Sequence, residues 1–246
     1  MIRFLPLFYG LFVYVIFLAV FLYLIGFIGN QYSFSTIDSG VQIPALEAIR
    51  TDLLLLSLFA LQHSLMARAW FKRFWTRIVP HPIERSTYVL ATCLALALVF
   101  RFWEPIPALV WHVSNPVAAP ALNLCFAAGW ITVIVASAQI GYADLVGLRH
   151  AWLFFRGIAY TPPPFGTPGL YKHLRHPMML GLLAGFWAAP EMSQGHLLFA
   201  ACMTLYIAIA LRFEERDLVH RHGRDYADYR TRVPALLPRF RKTNSS

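Results

Sequence analysis

Four stretches of this chain stay apolar for long enough to cross about 30 Å of hydrocarbon as helix. They run from Leu5 to Ile28, Leu46 to Met66, Thr87 to Trp103 and Ala121 to Tyr142. A spanning segment must satisfy its own backbone N–H and C=O groups, and a helix does so internally. A fifth apolar region, Met178 to Leu211, is broken by Pro190, Glu191 and Gln194. Its first arm is short for a crossing, so the region reads as a hairpin that dips in and returns, or as two tilted crossings. Composition agrees: 58% of residues are hydrophobic and only 13% charged, about half the charge of a soluble domain. Disorder, a fibrous repeat and an ordinary cytosolic enzyme are excluded. The expected fold is an all-α integral membrane protein, with four transmembrane helices plus a C-terminal helical hairpin, about five or six membrane segments in all.

The net charge of +9 raises nucleic-acid binding in a soluble protein. Here the basic residues sit between apolar runs, where anionic lipid headgroups are the natural partner and no nucleic acid is expected. Arg68, Lys72, Arg73, Arg77 and Arg85 lie between spans two and three, and Arg149, Arg156, Lys172 and Arg175 between span four and the hairpin. Arg212, Arg216, Arg221, Arg224, Arg230, Arg232, Arg239, Arg241 and Lys242 follow it. With Arg3, alternation gathers all of the 21 basic residues on one face except Arg50 and Arg101. The positive-inside rule makes that face cytoplasmic, with both termini on it, in a cell (inner) membrane. The first apolar run lacks a basic head and a small-residue cleavage site, so it reads as a span. The three cysteines, Cys93, Cys125 and Cys202, stand apart inside apolar runs and read as small buried hydrophobes. Polar residues accumulate late, dividing the chain into an N-terminal four-helix membrane part, 1–141, and a C-terminal catalytic part, 142–246, with a cytoplasmic linker, membrane hairpin and cytoplasmic tail helix.

The densest polar cluster, Gly169-Leu170-Tyr171-Lys172-His173-Leu174-Arg175-His176-Pro177, stands directly before the hairpin. Pro177 suits the first turn of a helix, whose free N–H groups favour a carboxylate or phosphate, and Arg175 adds a bidentate partner. An interfacial loop binding lipid headgroups explains the same residues. His173 and His176 are spaced for a metal, but no carboxylate or cysteine completes a set nearby, and no metal is expected. Gly181 and Gly185, four apart, suit close helix packing or the approach of a ligand to the backbone. In Arg212-Phe213-Glu214-Glu215-Arg216 the adjacent carboxylates lie about 100° apart on a helix, so one turns inward and needs a cationic partner. Tyr226 and Tyr229 share a helical face, and the stretch Leu236-Leu237-Pro238 is expected to fold back toward the hairpin. His63 lies within a span, and Asn123, Gln139 and Asp144 lie in or just after another. Polar groups at that depth face a cavity or the bundle interior. His63 and His150 are candidate proton acceptors, although a structural hydrogen bond explains His63 equally well.

The run from Gly169 through Arg175-His176-Pro177 to Gly181, with Glu214-Glu215, Gly223, Tyr226, Tyr229 and Val233-Pro234, resembles the isoprenylcysteine carboxyl methyltransferase superfamily of membrane enzymes. Gln62-His63-Ser64, Met66-Ala67-Arg68, Phe71-Lys72, Ile83-Glu84-Arg85-Ser86-Thr87-Tyr88-Val89-Leu90, Gly147-Leu148-Arg149, Trp152 and Thr161-Pro162 are similar to its bacterial methanethiol S-methyltransferase branch, close to the NnrU-like proteins. The resemblance implies S-adenosylmethionine in a pocket open to the cytosol, with an acceptor entering from the membrane. One wall would be Tyr171, His173, Leu174, Arg175, His176, Pro177, Met179 and Gly181, the other Glu214, Glu215 and Leu218. The segment from Gln139 to Val146 departs from the pattern, lacking the Asn-His-Phe that precedes the aspartate in the thiol methyltransferases.

The expected activity is S-adenosylmethionine-dependent methylation of a small thiol, most simply methanethiol to dimethyl sulfide. Methyl transfer from a sulfonium needs alignment and water exclusion, and aromatic faces favour the cation. Tyr142, Asp144 and Trp187 are candidates to line the acceptor site beside Tyr171. A thiol must lose its proton to become nucleophilic. His63 or His150 is the candidate acceptor, with Arg175 or Arg212 stabilising the anion and Glu215 completing the catalytic set. Alternatives are a same-fold methyltransferase acting on a lipid or carboxylate, a membrane oxidoreductase, and a haem-binding accessory protein. Oligomeric state is not legible.

Overall fold

A computed structural model describes residues 3–31 and 35–237. Arg239, Arg241, Lys242 and Pro238, counted above with the basic face and the returning tail, lie outside the described residues. The first half is helical: α1 (Phe4–Ile28), α2 (Ala45–Ala67), α3 (Ala69–Trp75), α4 (His81–Phe102), a short strand β1 (Leu109–His112) and α5 (Ala118–Gln139). Next come α6 (Tyr142–Leu145), α7 (Leu148–Arg156), a 3-10 turn (Gly169–Lys172), α8 (Pro177–Trp187), β2 (Glu191–Ser193), α9 (Gln194–His222) and α10 (Arg224–Arg232). Four helices, α1, α4, α5 and α9, are long and apolar enough to cross a membrane. A fifth span arises if α2 and α3, bent by 79° at Arg68, count as one. The protein is multi-pass.

The expected spans match α1, α2 and α5 closely, whereas α4 begins six residues before the expected Thr87. Hydropathy detects the apolar part of a helix rather than its start. Pro80 and Pro82 open α4 where missing N–H groups cost nothing, and the helix passes through Glu84 and Arg85 before it turns apolar. The fifth apolar region divides unequally. Its first arm, α8, has 11 residues, about 16 Å of helix, whereas its second arm, α9, has 29. Between them the chain extends into β2, which pairs antiparallel with β1, a two-stranded ribbon that hydropathy does not anticipate. Backbone bonds from Gln194 to Ala108 (2.8 Å) and from Gly195 to Ile106 (3.0 Å) tie this turn to the α4–α5 connection. Ser193 also bonds Asp38, which follows α1. The turn therefore lies at the end of the bundle remote from the basic loops, and both ends of the region return to the basic end.

One large apolar cluster binds α1, α2, α4, α5, α8 and α9, centred on Phe27, Val99, Trp103, Trp130, Phe186 and Phe199. Within it α5 and α8 approach most closely. A Cβ on Gly129 would stand 2.7 Å from the Gly181 carbonyl oxygen and 2.8 Å from the Gly185 nitrogen. A Cβ on Gly181 would stand 2.6 Å from the Gly129 oxygen. Of the two readings of Gly181 and Gly185, close packing is the one observed. Neither cysteines nor polar spans behave uniformly: Cys93 is buried, whereas Cys125 is exposed, contrary to its expected burial, on the outward side of α5. Asn123 is likewise exposed rather than inward-facing, because it lies near the start of α5, before that helix meets α8. The α5–α8 contact leaves no room for a methyl group. Gly129→Ala is expected to lower the thermal midpoint in detergent, costing about 1–3 kcal/mol, while Gly166→Ala, in open space, leaves it unchanged.

Candidate active site

At the basic end α8 begins as expected, with Pro177 in its first turn and the buried His176 as its cap residue. Glu215, on the last turns of α9, gathers three partners on one oxygen. Arg175 Nε donates to its Oε1 at 2.7 Å, His176 Nε2 lies 2.9 Å away, and the Tyr226 hydroxyl donates at 3.1 Å. Arg175 also donates through Nη1 to the carbonyls of Arg230 (2.9 Å) and Val233 (2.7 Å). The chain after α10 meets the start of α8 at Pro234 and Ala235, just before the stretch expected to return: the N–H of Arg175 donates to Pro234 and that of His176 to Ala235. The start of α8, the end of α9 and α10 are thus joined at one carboxylate. Arg175 serves as a clamp there, its Nε and Nη1 committed to the protein.

Tyr229 completes the junction by donating to the Tyr171 carbonyl at 2.6 Å. Phe165, from the loop after α7, packs against the rings of His222, Tyr226 and Tyr229 at 5.1, 5.8 and 5.6 Å. Burial pushes the phenols of Tyr171 and Tyr229 up to about 12, so both remain protonated donors near neutrality. Burial also raises Tyr226, and the Glu215 carboxylate adds to the shift. Glu214 differs from its neighbour. Its side chain is 47% exposed and its nearest basic atom is His176 Nδ1 at 3.8 Å. Its charge adds to the upward shift of the Tyr171 phenol. Of the adjacent carboxylates, Glu215 is the structural one and Glu214 the open one. Their separation of about 100° around the helix makes that division.

A second polar group lies among α2, α4 and α7. The Tyr88 hydroxyl stands 3.0 Å from both ring nitrogens of His63, and Thr92 lies 3.2 Å from Nδ1. Phe59 stacks on the same imidazole at 5.5 Å. The hydroxyls of Ser64 and Tyr206 meet at 3.3 Å, joining α2 to α9. Arg85 lies over the Tyr88 ring at 4.9 Å, and its Nε donates to the Leu145 carbonyl. Its positive charge opposes protonation of His150. In the sequence Arg85 counts among the basic residues of the cytoplasmic face and in the motif shared with the methyltransferase branch, but not among the site candidates.

Asp144 pairs with Arg149 at 2.8 Å and lies 4.0 Å from His150 Nδ1. Asp144 Oδ1 and His150 Nδ1 are both buried and have no hydrogen-bond partner among the described residues. Tyr160 stacks on His150 at 3.8 Å. Burial holds the His150 imidazole below its usual range, against the opposing pull of Asp144, so it is neutral at pH 7. Tyr142 packs against Tyr14 and Phe17 of α1. Gly141, at φ +96°, makes the turn that ends α5 and presents Tyr142 and Asp144.

Three expected site residues stand elsewhere. Trp187 sits at the opposite end of α8 from His176, about 15 Å away along the helix, and donates to Thr204 at 2.9 Å. Met179 packs against the central apolar cluster, and Gly181 faces α5. On an 11-residue helix these positions point along the bundle or into it, away from the basic end. His173 is exposed, whereas Leu174 and Leu218 are half-buried near the Glu215 junction. Among the described residues no three His, Cys, Asp or Glu side chains group closely enough to hold a metal ion.

No family model matches the chain, and no solved structure does. Curated proteins match over nearly its whole length. It is 47% identical to a protein of Mycobacterium tuberculosis named methanethiol S-methyltransferase, over 96% of this chain and 97% of that one. It is 48% identical to methanethiol S-methyltransferase 2 of Bradyrhizobium diazoefficiens, over 95% of this chain and 90% of that one. A methanethiol S-methyltransferase of Crocosphaera subtropica is 46% identical over 94% of this chain and 91% of its own length. At such identity and coverage, the resemblance seen in scattered motifs extends through the whole fold, and the chain belongs to the methanethiol S-methyltransferase family.

Proposed function

We propose that this protein methylates methanethiol to dimethyl sulfide with S-adenosylmethionine as donor. The observation that carries the reading is the full-length likeness to proteins that bear that activity in their names. A likeness of this extent leaves the lipid-methylating, oxidoreductase and haem-binding alternatives without a comparable basis. We place residues 142–246 as the part that holds the donor, in a protein whose basic end and both termini face the cytoplasm of a bacterial inner membrane.

The residues present fit a sulfonium cofactor. Glu214 is a carboxylate without an ion-pair partner closer than 3.8 Å, and its charge adds to the raised pKa of the Tyr171 phenol. A carboxylate with aromatic neighbours favours a cation without competing strongly for a methyl group. Bound there, S-adenosylmethionine supplies an electrophilic methyl. Leu174 and Leu218 shape the wall, and Arg175, His176 and Glu215 hold its frame. His173 stands at the open rim.

The acceptor occupies the space near His63, Tyr88, Tyr142 and Arg85. The thiol's S–H proton would pass to an imidazole, His63 or His150, leaving the sulfur as a thiolate, and bound S-adenosylmethionine would supply the methyl group that this thiolate accepts. Arg85, whose field reaches both imidazoles, stabilises the thiolate. It takes the anion-holding place that sequence reasoning offered to Arg175 or Arg212. Asp144 orients His150 from 4.0 Å. Apolar walls exclude water, and a small apolar acceptor and its product reach the site through the bilayer.

Purified protein given S-adenosylmethionine and methanethiol should release dimethyl sulfide into the headspace. A folded preparation that binds the cofactor and releases none overturns the reading. Glu214→Gln should weaken S-adenosylmethionine binding about tenfold, the loss of one charged contact, as read by calorimetric titration, with a smaller effect on the uncharged thioether S-adenosylhomocysteine, whereas Trp187→Phe should leave binding and turnover unchanged. For proton transfer, kcat/KM should fall as pH drops through the imidazole range. If His150 is the acceptor, its lowered pKa puts that acid limb below the ordinary histidine value of about 6.5, and His150→Gln removes the limb. If His63→Gln removes it instead, His63 is the acceptor.

A further inference from the structure

Beside the Glu215 junction, on the side of α9 turned away from Glu214, lies a second cavity of about 370 Å³. Its walls include Arg212 and Arg216, one turn apart on α9, and Arg230 of α10, with Leu211 and Ala235 as apolar floor. Glu215 and His176 also border it, but Glu215 already accepts from Arg175, His176 and Tyr226. None of the three bordering guanidinium groups forms an ion pair among the described residues, where the arginine pairs involve Arg68, Arg149 and Arg175. The cavity therefore gathers three unpaired positive charges around a carboxylate that is already neutralised.

We propose that this cavity binds the phosphodiester headgroup of an anionic phospholipid. Its depth selects that ligand. The apolar stretch of α9 from Gly195 ends at Leu211, the residue before Arg212, so the guanidinium groups stand where hydrocarbon gives way to headgroups. Leu237, two residues after Ala235, is an apolar side chain left 74% exposed. Arginine forks match phosphate oxygens bidentately, and the cytoplasmic leaflet supplies phosphate attached to an acyl glycerol. A soluble anion gains nothing from the apolar floor, whereas a phospholipid places its glycerol there. A headgroup held between Arg212 and Arg216 on one side and Arg230 on the other bridges α9 to α10. It would reinforce the junction that Glu215 makes from within.

Native mass spectrometry of the full chain tests this without reference to methyl transfer, so its outcome is separate from that of the functional reading. The protein in detergent is titrated with phosphatidylglycerol, phosphatidylcholine and inorganic phosphate in parallel. One phosphatidylglycerol should be retained with about tenfold preference over phosphatidylcholine, the gain expected from a few guanidinium contacts near a membrane surface. Arg212→Gln with Arg216→Gln should reduce retention to the phosphatidylcholine level. Should that double variant fold poorly, Arg230→Gln, on an exposed position of α10, decides alone by a several-fold loss. Equal retention of the two lipids, or wild-type retention by the variants, overturns the proposal. So does displacement of phosphatidylglycerol by inorganic phosphate at equal concentration, which would mark a site for free anions.

Discussion

The basic end of this protein depends on one carboxylate. Glu215 stands just past an apolar helix, where an unpaired charge near hydrocarbon is costly. Arg175, 11% exposed, and His176, 5% exposed, meet it from the start of α8, and Tyr226 meets it from α10. Removing one partner would leave a poorly hydrated charge behind, the situation in which such pairs matter most. The carboxylate is therefore bound to keep its partners. In doing so it closes the fold, because its partners stand as far as 40 positions before it and 11 positions after it.

That closure sets the division of labour around it. Arg175 and Glu215 look like chemistry in the sequence because both are charged in an apolar setting. In the structure both are tied into the junction of α8, α9 and α10, whereas the Glu214 side chain is 47% exposed. The same helix turns Arg212 and Arg216 to the cavity on its other side. Farther in, Arg85 of α4 lies over the Tyr88 ring and donates to the Leu145 carbonyl, while the Tyr88 hydroxyl meets His63 of α2. At the remote end, the ribbon of β1 and β2 gives the short α8 an anchor that its 11 residues cannot provide alone.

Much of the membrane architecture was legible from the chain. The spans of α1, α2 and α5 and the short first arm of the hairpin follow from hydropathy, from Pro177 and from the distribution of charge. The site was legible in part. Arg175, His176, Glu214 and Glu215 stand together as expected, and Tyr226 and Tyr229 join them. Trp187, Met179 and Gly181 do not, because an apolar helix continues them down the bundle, a direction that residue type does not report.

By itself the sequence determined that the chain is a multi-pass helical protein with its polar residues concentrated at one end, because hydrocarbon tolerates few charges and rewards long apolar runs. It also determined which family motifs are present. Only the tertiary structure decided which of two adjacent glutamates is tied and which is open, and that Gly181 serves packing. It alone set Arg85 over the ring of Tyr88, whose hydroxyl meets His63. The reason is geometric. Residue identity sets what a side chain is able to bind, whereas helix rotation and the depth of neighbouring helices set what it meets.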